Sequence, residues 1–175
     1  MRTQVLIDAD GCPVVDEAVR LARRFGAPCV IFCDTSHAFD RAGAETVVVS
    51  KGADSADFAL VNRAQRGDVA VTQDYGLAAM CLAKGALPVS QDGLVYSDQN
   101  IGALLQSRHA AGKLRRAGGR LRGPKKRTQA QDEAFVRALT VLLEDAARRE
   151  TAETAGAERE KSEEQEIRRD GRDSD

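Results

Sequence analysis

The sequence predicts an α/β domain in three layers, with a central parallel sheet, helices on both faces and further helices at the C-terminus. Short aliphatic runs alternate with amphipathic helical segments along the first half of the chain. The runs lack the polar alternation of a half-exposed strand, so both faces of each strand should be buried. Strands that alternate with helices favour parallel pairing through right-handed crossovers.

The aliphatic runs predict five strands, and the segments between them predict the helices. We place the strands at residues 5–8, 28–34, 45–50, 69–73 and 87–90, and helices at 14–25, 54–66, 75–84 and from 101 onward. A terminal helix should follow a capping box at 128–131 and dock through an apolar stripe. We assume the sheet order 3-2-1-4-5, which puts strands 1 and 4 side by side where the winding reverses.

Carboxylates cluster at the carboxyl ends of predicted strands 1 and 4. Asp8 and Asp74 follow the two aliphatic runs, and Asp10 comes shortly after Asp8. In an open parallel sheet, the ligand crevice lies just beyond these ends. Like charges are tolerated together only when they are protonated, paired with Lys or Arg, or bound to a cation. Oxygen ligands without nearby His or Cys favour Mg²⁺ or Mn²⁺ over zinc, so we expect one of these ions.

Two further acids lie at the start of the second predicted helix. Asp54 and Asp57 are close to one helix face, because residues three apart are neighbours on a helix. Asp54 is explained equally well as the N-cap of that helix, and Asp10 as a turn residue. The expected metal ligands are Asp8, Asp10, Asp54, Asp57 and Asp74, and the expected catalytic residues are Asp8, Asp10, Asp57 and Asp74.

A basic segment runs from Arg108 to Arg127, with nine Lys and Arg residues and no acid between Asp98 and Asp132. Contacts from Lys and Arg to phosphate are the main source of affinity for nucleic acids, so RNA is the expected partner. The segment has no aromatic residue, which favours recognition of the RNA backbone over base stacking. The alternative is a solvated charged face, and for His37 a solvated loop. The expected nucleic-acid-binding residues are Ser36, His37, Lys51, Arg115, Arg116, Lys125, Lys126 and Arg127.

Composition limits the class of protein. The 175 residues carry 26 Lys and Arg against 27 Asp and Glu. The net charge therefore says nothing about partners, and only the distribution of the charges along the chain does. Four cysteines without paired spacing predict free thiols in a reducing compartment. With no leader-like segment and no long apolar run, we expect a soluble cytoplasmic protein with no membrane partner. The sequence leaves open whether the chain forms a homo-oligomer.

Residues 1–149 are predicted to form one domain, and residues 150–175 a charged tail. From Thr151 to Asp175 the only large aliphatic residue is Ile167. Such a segment buries too little surface to offset its ordering entropy, so we expect it to be disordered or weakly helical.

Four motifs occur in this order: DADGCP, KGADSADFALVNR, GDVAVTQDYGLAAMCLAKGA and GPKKRT. Together they resemble the YaiI/YqxD family of bacterial proteins, also called UPF0178, over roughly residues 5–144. The resemblance implies a PIN-like fold with sheet order 3-2-1-4-5, in a group for which nuclease activity is proposed by fold analogy. It implies acidic roles for Asp8, for Asp57 or Asp54, and for Asp74, to which the DxD pair adds Asp10. A later acid of many PIN sites is missing unless Asp92 or Asp98 supplies it, which leaves a second metal open.

The expected function is a metal-dependent, ribonuclease-like hydrolase of phosphodiester bonds. One alternative is a non-catalytic RNA-binding module whose acids are structural. A weaker alternative is a haloacid dehalogenase-like phosphatase, because residues 7–11 mimic its nucleophile motif. Cys12 stands where that motif has Thr, and no paired-acid motif is evident at Asp74.

Overall fold

A computed structural model describes residues 2–35, 40–50, 55–116 and 126–170 of the chain; within these ranges, the side chains at 111, 112, 114–116 and 157–170 are not described. The strands are β1 Val5–Asp8, β2 Cys29–Asp34, β3 Glu45–Val49, β4 Val69–Val71 and β5 Leu87–Val89. The helices are α1 Val15–Arg24, α2 Ser55–Arg63, α3 Tyr75–Ala83, α4 Ile101–Arg116 and α5 Gln129–Asp170.

The five strands form one parallel sheet in the order β3-β2-β1-β4-β5, which confirms the predicted architecture and strand order. In the centre, Val5 is aligned with Cys29 on β2 and with Val69 on β4. Strands β1 and β4 therefore run side by side and end at the same edge. We call this the carboxyl edge of the sheet.

Alternate residues of β1 pack into two separate cores. Val5 and Ile7 belong to a cluster that includes side chains of α1 and α5, whereas Leu6 belongs to a cluster with α2 and α3. This period of two is what a strand covered on both faces requires. The result is the expected three layers, with helices on each side of the sheet.

Helix α5 begins after the predicted capping box. The Thr128 amide donates to Gln131 Oε1 at 2.9 Å, and the Gln131 amide donates to the Thr128 hydroxyl at 3.4 Å. The apolar stripe is buried as expected, at Phe135, Leu139, Leu142 and Leu143. The helix continues past residue 149 to Asp170, and residues 151–156 are exposed. The boundary between domain and tail stays a prediction.

Two smaller expectations concern the cysteines and the membrane. The four cysteines, all in the described part of the chain, form no disulfide, and only Cys12 is partly exposed. Across the described ranges, none of the helices has both the length and the apolar character needed to cross a bilayer.

Removing the ring of Phe135 should destabilise the fold. The side chain is fully buried, so Phe135→Ala should lower the free energy of unfolding by about 3 to 5 kcal/mol through lost burial and a cavity. Urea unfolding followed by circular dichroism measures the loss. Val141 on the same helix is 52% exposed, so Val141→Ala should cost less than about 0.5 kcal/mol. Equal stability of the two variants would contradict the packing of α5 on the core.

Candidate active site

The tips of β1 and β4 are joined through one buried side chain, Thr72. Its hydroxyl donates to Oδ2 of Asp8 at 2.7 Å and accepts the Asp74 amide at 3.0 Å. Thr72 directly follows β4 and is only 2% exposed, so this arrangement lies at the mouth of the core. Thr72 therefore orients the Asp8 carboxylate and fixes the turn that carries Asp74.

Asp8 is partly buried among other acids. Burial raises the pKa of Asp8, and the charges of Asp10 and Asp74 raise it further. Hydrogen bonds from Thr72 and from the Asp10 backbone favour the charged form but do not offset burial, so the pKa stays above its ordinary value. The structure thus brings Asp8, Asp10 and Asp74 within electrostatic range of one another.

Asp74 is the N-cap of α3, a role that we did not predict for it. Its Oδ1 accepts from the amides of Gly76 at 2.6 Å and Leu77 at 3.1 Å. Its Oδ2 pairs with Nη1 of Arg108 on α4 at 2.6 Å. Burial by itself would raise the pKa of Asp74, but Arg108 and the two amides together lower it. Both oxygens are therefore engaged, one by backbone and one by a cation.

Asp57 lies in the first turn of α2 and is partly buried. Its charge lies within electrostatic range of the Cys81 thiol on α3, as does that of Asp8. Burial raises the pKa of Cys81 to about 12, and the charges of Asp57 and Asp8 add to that rise. The charges of Asp57 and Asp8 both reach this thiol in the layer between α2, α3 and the sheet.

The acids supply the oxygen donors that Mg²⁺ and Mn²⁺ prefer. In the described part of the chain, however, no three His, Cys, Asp or Glu residues are close enough together to hold a metal ion. The Arg108 guanidinium lies on the Asp74 oxygen that would otherwise face a cation. The donor chemistry suits a divalent ion, but the described acids as placed do not form a group that could hold one, and Arg108 occupies Oδ2 of Asp74.

One wall of the site is aromatic. The Tyr96 hydroxyl donates to the Thr72 carbonyl at 3.3 Å, and its ring meets Tyr75 edge to face at 5.9 Å between centroids. Burial raises the pKa of Tyr96 to about 12, and the charges near it include Asp92 and Asp74. Asp92 is therefore near the edge, as a later acid would need to be, but Arg127 holds it in an ion pair at 2.8 Å.

Arg127 links the start of α5 to the loop after β5 through hydrogen bonds and ion pairs. Its guanidinium donates to Asp92, to Asp132 at 2.6 Å and to the Gln91 carbonyl at 2.7 Å. Arg127 and Asp8 both influence the Cys12 thiol, whose pKa burial raises to about 11. Arg127 thus lies beside the carboxyl edge, and replacing it removes structural contacts as well as a charge.

The other expected site residues are less defined. Lys126 is exposed, and Arg115 and Arg116 lie in α4 with side chains that are not described. Ser36, His37, Lys51, Asp54 and Lys125 lie outside the described residues. Their roles stay predictions.

Sequence reasoning missed three side chains of this edge: Thr72, Tyr96 and Arg108 as the partner of Asp74. Thr72 could have been found, because a hydroxyl directly after an apolar strand lies at the strand tip. Arg108 is 34 residues from Asp74 in the chain, and no local pattern indicates that pair.

The fold and the site together define a class of protein. It is a parallel α/β domain with acids and arginines at the carboxyl edge of its sheet. The sequence profile described as "Uncharacterized BCR, YaiI/YqxD family" matches residues 6–145. The chain belongs to this family.

Similar relatives include three bacterial UPF0178 proteins. The one from Exiguobacterium sibiricum is 50% identical over 140 residues, covering 80% of this chain and 96% of the relative. That from Ruminiclostridium cellulolyticum is 48% identical, covering 80% and 92%. That from Clostridium acetobutylicum is 44% identical, covering 80% and 96%. No solved structure matches the chain.

Replacing Thr72 with Val should raise the pKa of Asp8 further, because the charged form loses a hydrogen bond. A raised Asp pKa gives stability that is present below the ordinary value of 3.8 and lost as pH rises through the folded-state pKa. Thr72→Val should therefore lose more folding stability at about pH 7 than at about pH 4. The loss at the higher pH should be roughly 1.5 to 3 kcal/mol.

Urea unfolding at both pH values and an NMR titration of the Asp8 carboxyl measure these effects. Thr72→Ser keeps the hydroxyl and is the matched control. An unchanged Asp8 titration in Thr72→Val would show that Thr72 does not orient this carboxylate.

Proposed function

We propose that this chain is a nuclease dependent on Mg²⁺ or Mn²⁺, with RNA as its substrate. The observation that carries the proposal is the position of Asp8 and Asp74 at the ends of adjacent parallel strands, with Asp10 in electrostatic range. A ligand crevice is expected at this point of an open parallel sheet. A buried carboxylate with a raised pKa among other acids is typical of a functional site.

Asp8, Asp10 and Asp74 would hold the ion, and Asp57, with Asp54, would complete the set from α2. When bound, the ion would supply water activation and stabilisation of the leaving oxygen. The chain's own contribution is orientation: Thr72 fixes Asp8, and the α3 amides fix Asp74. Both side chains are therefore held before any ligand arrives.

Arg108 links the metal to the substrate in this proposal. Its side chain is 54% exposed, so it can leave Asp74 without breaking a packed core. A phosphate group offers the guanidinium a second acceptor with matching geometry. Arg108 would move from carboxylate to phosphate as the cation takes its place on Asp74, which keeps the charge at the edge balanced.

A second candidate is an RNA-binding module without catalysis. The Arg108–Asp74 pair favours it, since that pair already neutralises the acid that a metal would need. In this alternative the acids only position arginines. The two candidates differ in whether Mn²⁺ binds and whether RNA is cut.

Calorimetry with Mn²⁺ tests the metal site. Wild type should release heat on binding Mn²⁺. The double variant Asp8→Asn with Asp74→Asn should not, because each substitution removes a charged oxygen ligand. Asn at position 74 still caps α3. Binding should strengthen as pH rises, since Asp8 must release its proton.

Glu133 and Glu144 are exposed on α5, so Glu133→Gln with Glu144→Gln is the charge-matched control and should bind Mn²⁺ like wild type. Incubating each protein with pooled RNA oligonucleotides and Mn²⁺ tests cleavage. Heat that survives in the double variant would refute the site, and RNA binding without any cleavage would favour the binding module.

Replacing Arg108 with Gln separates the two roles of that residue. The Asp74 oxygen becomes free for a cation, so Arg108→Gln should bind Mn²⁺ more tightly than wild type. RNA should bind about 5-fold more weakly at 0.1 M salt, as expected for one lost phosphate contact. Both affinities come from titrations of the same preparations.

Arg137→Gln is the control for this experiment, because Arg137 is an exposed arginine of α5 whose side chain is 69% accessible. It should leave both affinities unchanged. If Arg108→Gln binds Mn²⁺ no better than wild type does, Arg108 does not compete with a cation at Asp74.

A further inference from the structure

A second cationic feature lies outside the basic segment, along the exposed face of α1. Four arginines line an open groove of about 410 Å³: Arg20, Arg23 and Arg24 from α1, and Arg41 from the segment before β3. Asp16 is the acid among the lining residues. This surface takes no part in the acid cluster at the carboxyl edge.

Ion pairs engage only part of this charge. Arg20 pairs with Glu17, and Arg41 pairs with Asp16. Arg23 and Arg24 are exposed, and neither has a carboxylate partner within the described ranges. Two guanidinium groups at one end of the groove are therefore available to an external anion.

Both arginines contact neighbouring groups of the fold. A Cβ atom on Gly43 would lie 2.7 Å from Cδ of Arg23, so the Arg23 stem passes close to the Gly43 backbone. Gly43 also has a φ of +92°, which disfavours a side chain independently. The Arg24 guanidinium lies over the Phe25 ring, 5.9 Å from its centroid.

The groove is extended and leads to the active-site end of the sheet. Asp16 and Arg41 lie beside the first turn of α1, which follows the loop from Asp8. Arg23 and Arg24 lie in the last turn. Eight residues of helix span about 12 Å. The groove is therefore long enough to follow a short stretch of a phosphate backbone.

We propose that the Arg20, Arg23, Arg24 and Arg41 groove binds the phosphate backbone of single-stranded RNA along α1, in the direction that leads away from the carboxyl edge. The inference rests on the proposed function, since it supplies a path for the strand beyond the cleaved bond. Guanidinium groups suit phosphate because they can donate two parallel hydrogen bonds to it. The groove carries no aromatic side chain among its lining residues, so binding is independent of base sequence.

The test uses the full chain and a fluorescently labelled single-stranded RNA of mixed sequence, titrated over a salt series. The variant Arg23→Gln with Arg24→Gln removes both charges that lack a carboxylate partner and keeps most of each stem. Two lost phosphate contacts should reduce the log–log salt slope by roughly 1.4 and weaken binding on the order of 20-fold at 0.1 M salt. Mn²⁺ binding should be unchanged.

Arg66→Gln with Lys84→Gln is the matched control. Both residues are exposed near Gly85 on the α3 side of the sheet, and their loss removes the same charge from another face. This control should bind RNA like wild type. If the two double variants bind RNA with equal affinity and equal salt slope, the groove proposal is wrong.

Tripolyphosphate distinguishes a small phosphorylated ligand from the RNA backbone. If calorimetry shows that it binds through Arg23 and Arg24 while RNA binding ignores them, the groove serves a small molecule and the RNA proposal is overturned. Failure of the groove is also separable from failure of the nuclease. If the wild type binds RNA through the groove but never cuts it, the groove proposal stands and the nuclease proposal is wrong. If RNA is cut without any contribution from the groove arginines, the nuclease proposal stands and the groove proposal is wrong.

Discussion

The parallel pairing of β1 with β4 is the constraint on which the candidate site depends. In this register Ile7 lies opposite Val71, so the residues that follow each strand meet at the same edge. The Thr72 hydroxyl then joins the two tips through Asp8 and the Asp74 amide. A strand inserted between β1 and β4 would separate these groups by nearly 5 Å more, and no hydrogen bond could span them.

The cost of burying Asp8 shows why the edge has this composition. Burial and two neighbouring acids disfavour the charged form of Asp8, and its hydrogen bonds recover only part of that cost. Asp74 is in the opposite position, since Arg108 and the α3 amides lower its pKa. The two acids therefore have different affinities for protons at one edge. This separation follows from their environments, because one carboxylate is buried among acids and the other is paired with a cation and two amides.

Much of this arrangement could be predicted, because it depends on patterns local in the sequence. Uninterrupted aliphatic runs indicate buried parallel strands, and acids directly after two of the runs must lie at strand ends. The cap role of Asp74 was also accessible, since it directly precedes a helix.

Long-range ion pairs could not be predicted in the same way. The basic segment is uniformly positive in the sequence, but its two ends fold onto Asp74 and onto Asp92 and Asp132. Those contacts depend on how α4 and α5 pack, and nothing within the segment specifies it. The arginine groove is predictable only in part. The spacing of Arg20, Arg23 and Arg24 places them on one helix face. Arg41 and Gly43 are distant in the sequence, and only the folding of the chain brings them to this face.

Different parts of helix α5 contact the two ends of the sheet. At the carboxyl edge, Arg127 ties the helix start to Asp92, and Gly93 approaches the α5 backbone so closely that a Cβ there would lie 2.5 Å from Ala134. At the opposite end, the Thr3 amide donates to Glu150. The contacts at the site all precede residue 145, where the family match ends. The part of α5 within the family match thus contacts the site, whereas Glu150, beyond that match, contacts Thr3 at the far end of the sheet.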